Sequence, residues 1–348
     1  MPSQPPSASV SSRPLGWLGV VGIMAATLGV PALLNHGEPP RQPFNEQPLR
    51  ALEKARPEGV LVGDSMLGTR IDPQVLKSVA GEKWEVLAQP GSSSAMWYLM
   101  LKNLIAVQSP PPRMVIFFFR DRQLTHPTHR TEGSYRKTIE SYMRGPEPLL
   151  EEVLQTNARL HQPPRLNRFS SWAYPVQRRR EEWQRRVQSW ALDAVAGSRE
   201  YAGIRTAAQE IFSAKNLRAD QQQDEAEEGG RTGLDADDHD FTAAVDLSFL
   251  PRMLEIARAK DIRLVFFRVK RRPDAPGVPI ENLTGPAYHA ALRAYLERAG
   301  ATLIDETRDA DVTIDFYGSG DHVKPEMEKR YTEMFWRKVG PLIPAPVR

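Results

Sequence analysis

Ser65 directly follows an apolar, β-prone run, Val60-Leu61-Val62, in the tripeptide Gly63-Asp64-Ser65, and the residues after it can form a helix. A serine at a strand-to-helix turn lies beside main-chain N–H groups that have no intrahelical acceptor, and such groups favour a negative oxygen. A hydroxyl attacks an acyl carbon when a base takes its proton, an acid orients that base and fixed donors hold the oxyanion. The sequence has a candidate for each part. His322, in Gly318-Ser319-Gly320-Asp321-His322-Val323-Lys324-Pro325, is the base, and Asp321 or Asp315 is the orienting acid. The N–H groups of Ser65 and Gly91 are the donors. Gly91 closes Gln89-Pro90-Gly91, where a side chain would obstruct a substrate.

Other polar clusters read as ordinary surface. Asp121, His126 and His129 are close in sequence, but with Pro127 between the histidines they make a polar loop rather than a metal site. The Arg178-Arg179-Arg180 and Arg185-Arg186 run, interleaved with Trp183, is diluted by Glu181 and Glu182, so it is a solvated helix face and no nucleic-acid partner is read from it. Lys270 and Arg271 follow a core strand and could steer an anionic glycan into a cleft. Met96-Trp97-Tyr98-Leu99 reads as core packing.

These residues need a scaffold, and the pattern around them supplies one. Short apolar runs at 60–62, 84–88, 114–119, 263–267 and 302–304 alternate with helical stretches at 72–79, 94–107, 247–260, 286–299 and 325–339. The continuous apolar run at 114–119 is that of a central strand covered on both faces. The expected core, over 59–340, is a three-layer α/β/α sandwich whose site loops gather at the carboxyl ends of parallel strands. A helical insertion over about 126–240 splits it, and its last part, 218–240, is acidic and reads as disordered.

The 348 residues suffice for one such domain plus appendages. With 41% hydrophobic and 26% charged residues the chain is globular, and its net charge of +3 points to no class of partner. Having no cysteine excludes disulfides, thiolate nucleophiles and cysteine-bound metals. A Pro/Ser-rich arm (1–14) precedes an uncharged apolar stretch at 15–34, expected to be a single transmembrane signal-anchor. A linker (35–58) and a short tail (341–348) complete the organisation. The arginines and lysine soon after residue 34 oppose export by charge count; the expectation is nonetheless a bulk domain on the extracytoplasmic, periplasmic side.

The blocks Gly63-Asp64-Ser65, Gly91 and Asp321-His322 resemble the SGNH/GDSL hydrolase superfamily in order and spacing. The resemblance implies a flavodoxin-like sheet, a serine nucleophile and no cofactor or metal, with Ser65, Gly91 and a third donor forming the oxyanion hole. Where the family places an asparagine after the central strand this chain has Arg120-Asp121-Arg122-Gln123, so Arg120 or Gln123 stands as that donor, and Asp64 and Gln123 as cleft residues. Where the family has aspartate three residues before the histidine this chain has Ser319. In role the chain is nearest to exported proteins working beside membrane-bound O-acyltransferases. The implied function is acyl transfer to, or removal from, an envelope polysaccharide. Two alternatives are a non-catalytic scaffold of a polysaccharide-modification complex and a cytoplasm-facing ester or thioester hydrolase.

Overall fold

Five apolar runs become five strands, β1 (Gly59–Gly63), β2 (Trp84–Ala88), β3 (Met114–Phe119), β4 (Arg263–Arg268) and β5 (Thr302–Asp305). The computed structural model describes residues 41–81, 83–160, 240–273, 286–318 and 320–343, all in one folding unit. The transmembrane candidate at 15–34, the arginine run at 178–186, the acidic stretch before residue 240 and Ser319 lie outside the described residues. Among the described residues no helix is long and apolar enough to cross a membrane.

All strands pair in parallel, in the order β2-β1-β3-β4-β5. That is the flavodoxin-like order, in which the chain reverses direction across the sheet between β1 and β3. Ten helices surround the sheet among the described residues: α1 (Glu46–Ala55), α2 (Ser65–Gly68), α3 (Pro73–Ala80), α4 (Ser94–Met100), α5 (Gly133–Glu140), α6 (Pro148–Leu160), α7 (Phe241–Val245), α8 (Leu250–Ala259), α9 (Pro286–Arg298) and α10 (Pro325–Val339).

Alternate strand residues face opposite ways. Val60, Val62, Val115, Phe117, Leu264 and Phe266 join buried residues of α1, α4, α8 and α9. Leu61, Ile116, Phe118, Val265 and Phe267 join those of α2, α3 and α10. The result is the expected three layers. On the second face Phe118 stacks on Phe267 at 5.0 Å, and Phe335 of α10 lies 5.1 Å from both rings. Burying each such ring is worth about 1.5–3 kcal/mol.

Local chemistry sets the helix starts. Asp72 Oδ1 accepts from the amides of Gln74 and Val75 at 2.8 and 3.2 Å, and Pro73 takes the first helical position of α3. Pro325 does the same for α10.

Three details correct the sequence reading. The linker assigned to 35–58 contains α1, capped by Asn45 and buried through Leu49 and Leu52; Pro48 falls in its first turn, where a missing N–H costs little. The insertion begins inside the core, since Ile139 on α5 and Leu150 on α6 are fully buried there. The helix expected over 94–107 changes after Met100 to a π-helical turn, Leu101–Ile105.

Candidate active site

Asp64 caps the helix that begins with Ser65: its Oδ1 accepts from Met66 N at 2.8 Å. The turn is tight because Gly63 has no side chain. A Cβ there would sit 2.8 Å from Leu67 Cβ and 3.1 Å from Phe118 Cβ, so the helix could not fold back onto β1. Ser65 is buried, and no described group hydrogen-bonds its hydroxyl or accepts from its N–H.

The neighbouring loop presents a second amide. Ser92 N donates to Gln89 O at 3.0 Å, with Pro90 and Gly91 between them and Gly91 at φ +71°. This has the marks of a type II turn, with proline second and glycine third. No described group accepts from Gly91 N–H. Gln89 N and Ser92 Oγ both donate to Gly63 O, at 2.9 and 3.0 Å, and hold this loop against the Ser65 turn. The reason for the glycine differs from the one read in the sequence. A Cβ at Gly91 would lie 2.4 Å from Tyr135 Cε1, so the space beside it is filled by a ring of α5 rather than kept for substrate.

His322 is buried on the loop before α10. That loop is closed at its base by an antiparallel bridge between Tyr317 and Val323, by Gly318 N donating to His322 O at 2.9 Å, and by Lys324 N donating to Phe316 O at 2.8 Å.

Asp321, one of the two carboxylates proposed to orient the imidazole, is engaged by arginines. Asp321 Oδ2 accepts from Arg120 Nη1 at 2.9 Å and Arg271 Nε at 3.2 Å, and its Oδ1 from Arg272 N at 2.8 Å. Burial opposes its charge, but Arg120, Arg271, the Arg272 amide and Arg70 together hold the carboxyl below the usual range. Asp321 therefore clamps the His322 loop to the ends of β3 and β4. Asp315 is exposed in a 3-10 turn, Ile314–Phe316, with no bonded partner among the described residues.

The candidate third donors are engaged elsewhere as well. Arg120 N donates to Gln123 Oε1 at 2.9 Å, and Gln123 Nε2 donates to Asp64 Oδ2 at 3.0 Å. Gln123 thus braces the cap of the Ser65 helix, and Asp64 is a cap rather than a cleft residue. Lys270 and Arg271, read as steering a glycan, are half-buried and already paired within the protein. Lys270 Nζ donates to Asp309 O at 2.7 Å, and Arg271 Nη1 also lies 3.4 Å from Asp121.

No family model matches this chain, and no curated protein matches it. Among solved structures, a GDSL-like lipase from Bacteroides thetaiotaomicron is similar over 84% of this chain and 91% of its own, at 10% identity and a TM-score of 0.36. That likeness is too distant to carry an argument about fold or chemistry.

The site's own geometry carries more. Ser65 and Gly91 belong to the loops after β1 and β2, which are adjacent and in register at Gly63 and Ala88. The sequence reading missed several residues around them. Arg70, five residues beyond Ser65, is fully buried, as are Tyr331 and, nearly, Tyr317 and Glu306. Tyr331 OH donates to Glu306 Oε2 at 2.5 Å, and Lys338 Nζ to Glu306 Oε1 at 2.9 Å. The one sequence signal was a lone arginine inside the apolar stretch Met66-Leu67-Gly68-Thr69-Arg70-Ile71. His126 and His129 meet edge to face at 5.8 Å. Burial, with Arg130, His126 and Arg120 nearby, pushes His129 down to about 3.

Proposed function

We propose that the chain is a serine acylesterase or acyltransferase of the SGNH type, anchored in a membrane and acting on O-acyl groups, such as O-acetyl, of an envelope polysaccharide. The observation that carries the acyl chemistry is the pair of unengaged amides, Ser65 N–H and Gly91 N–H, on adjacent loops beside an unbonded Ser65 hydroxyl. In this reading Ser65 Oγ attacks the acyl carbon and His322 takes its proton. The two amides receive the negative oxygen, and the proton passes to the departing alcohol. Water or a sugar hydroxyl then attacks the acyl-enzyme, with His322 again as base. Excluding water from the site favours the sugar. A membrane-bound O-acyltransferase is the partner this role implies, and the apolar stretch at 15–34 is the anchor.

A fluorophosphonate probe on the purified protein tests the chemistry. The reading requires that the folded wild type be labelled and that Ser65→Ala and His322→Ala each abolish or sharply slow labelling. A folded wild type that takes no label returns the chain to the scaffold alternative.

A further inference from the structure

Arg70 is fully buried and makes no hydrogen bond to a carboxylate among the described residues. Its Nη1 donates to Met66 O at 3.3 Å and approaches Met66 Sδ at 3.2 Å, and its Nη2 donates to Lys270 O at 2.9 Å. Its Nε has no hydrogen-bond partner among the described residues. The guanidinium carbon lies 5.7 Å from the centre of the Tyr317 ring and 5.6 Å from that of Tyr331. A guanidinium stripped of water and held by two carbonyls, a thioether and two ring faces is an expensive way to fill a core.

Its neighbours explain what it does. Met66 is the residue after Ser65. Lys270 follows β4, and its carbonyl accepts from Arg70 and from Tyr317 OH, both at 2.9 Å. Tyr317 is the foot of the His322 loop, bridged to Val323, with Gly318 N bonded to His322 O. One cation therefore touches the serine helix, the end of β4 and the base of the histidine loop. Burial pushes the Tyr317 phenol up to about 12, so it stays a donor to Lys270 across the working range.

We propose that Arg70 is a positioning residue, which holds the Ser65 helix and the His322 loop in the mutual register that proton transfer needs. This rests on the roles given above to Ser65 and His322. Misplacing reacting groups by about 1 Å can cost on the order of 100-fold in rate. Folding need not suffer equally. Without Arg70, Glu306 keeps Tyr331 and Lys338, and Asp321 keeps Arg120 and Arg271, so no buried acid is stranded.

The test is a double-mutant cycle on the full chain, reading the rate of fluorophosphonate labelling together with urea unfolding. Arg70→Met is expected to unfold cooperatively near the wild-type midpoint yet label about 10–100-fold more slowly, with Arg70→Lys recovering part of the loss. In a His322→Ala background, Arg70→Met is expected to add no further loss, because its effect passes through the histidine. Equal losses in both backgrounds, or no loss in the wild-type background, overturn the proposal. Should Arg70→Met not fold, Tyr317→Phe, which removes the second donor to Lys270 O and keeps the charge, is held to the same two-background criterion. A wild type whose labelling is indifferent to His322→Ala overturns the Ser65–His322 reading and this proposal with it; a normal His322→Ala defect beside an unaffected Arg70→Met overturns only the role of Arg70.

Discussion

Gln123 donates its side-chain amide to Asp64 Oδ2 at 3.0 Å, fastening the loop after β3 to the cap of the Ser65 helix. The other Asp64 oxygen holds Met66 N, so one buried carboxylate fixes the helix start and the adjacent strand end together.

Gln123→Leu leaves Asp64 Oδ2 and Arg120 N without that partner. Each unpaired buried polar group costs about 1–3 kcal/mol, so the expected outcome is a clear drop in the urea midpoint with slower Ser65 labelling. An unchanged midpoint would mean that water replaces the amide at no cost.

Gly91→Ala meets two obstacles, a positive φ and the Tyr135 ring. The strain alone is on the order of 1 kcal/mol, and the clash adds to it. Adding Tyr135→Ala is expected to recover the steric part and leave the strain, which chemical denaturation of the two single variants and the double variant can separate.

Asp321 and Asp315 are predicted to part company. Asp321→Asn weakens a clamp holding two arginines and should destabilise by about 1–3 kcal/mol, discounted for the partial exposure of Arg271. Asp315→Asn, at an exposed turn, is expected within about 0.5 kcal/mol of wild type. Thermal unfolding with probe labelling reads both. A loss of labelling confined to Asp315→Asn would restore that residue as the orienting acid.

Acid sensitivity has a sign fixed by His129. Its imidazole is neutral in the fold down to about 3, against an ordinary value of 6.5, so as pH falls below 6.5 the unfolded chain binds a proton that the folded one refuses. Stability present above 6.5 is then lost toward 3, with a slope approaching about 1.4 kcal/mol per pH unit. Asp321, whose carboxyl is held low, adds to the loss nearer the carboxylate range. His129→Asn should flatten the upper part of the urea-midpoint profile between pH 6.5 and 4.5; an unchanged profile would assign the slope to other groups.

The sheet was legible because its signal is local. Met114–Phe119 is apolar at every position, and the 84–88 run and the 325–339 helix keep their expected bounds. What failed depended on context. The prolines at 43 and 48 made a packed helix look like a linker, since sequence does not say whether Leu49 and Leu52 find a core. The placing of Ser65, Gly91 and His322 on the loops after β1 and β2 and before the last helix was legible from type and position, but the partners of Asp321 were not. Its neighbour in the chain is His322, while its oxygens turn to arginines that arrive from β3 and β4. Arg70 escaped notice for the same reason, because burial of a cation is decided by segments far away in sequence.

The pairing of β3 with β4 spans the long intervening segment from Phe119 to Arg263. During synthesis β1, β2 and β3, with the Ser65 turn and the Gly91 loop, emerge well before β4, β5 and the His322 loop. Early contacts can form within the first group while the second is still unmade. On the proposed reading of Ser65 as nucleophile and His322 as base, the nucleophile's platform is laid down before its base, and the nascent chain would stay chemically silent until its last helix docks.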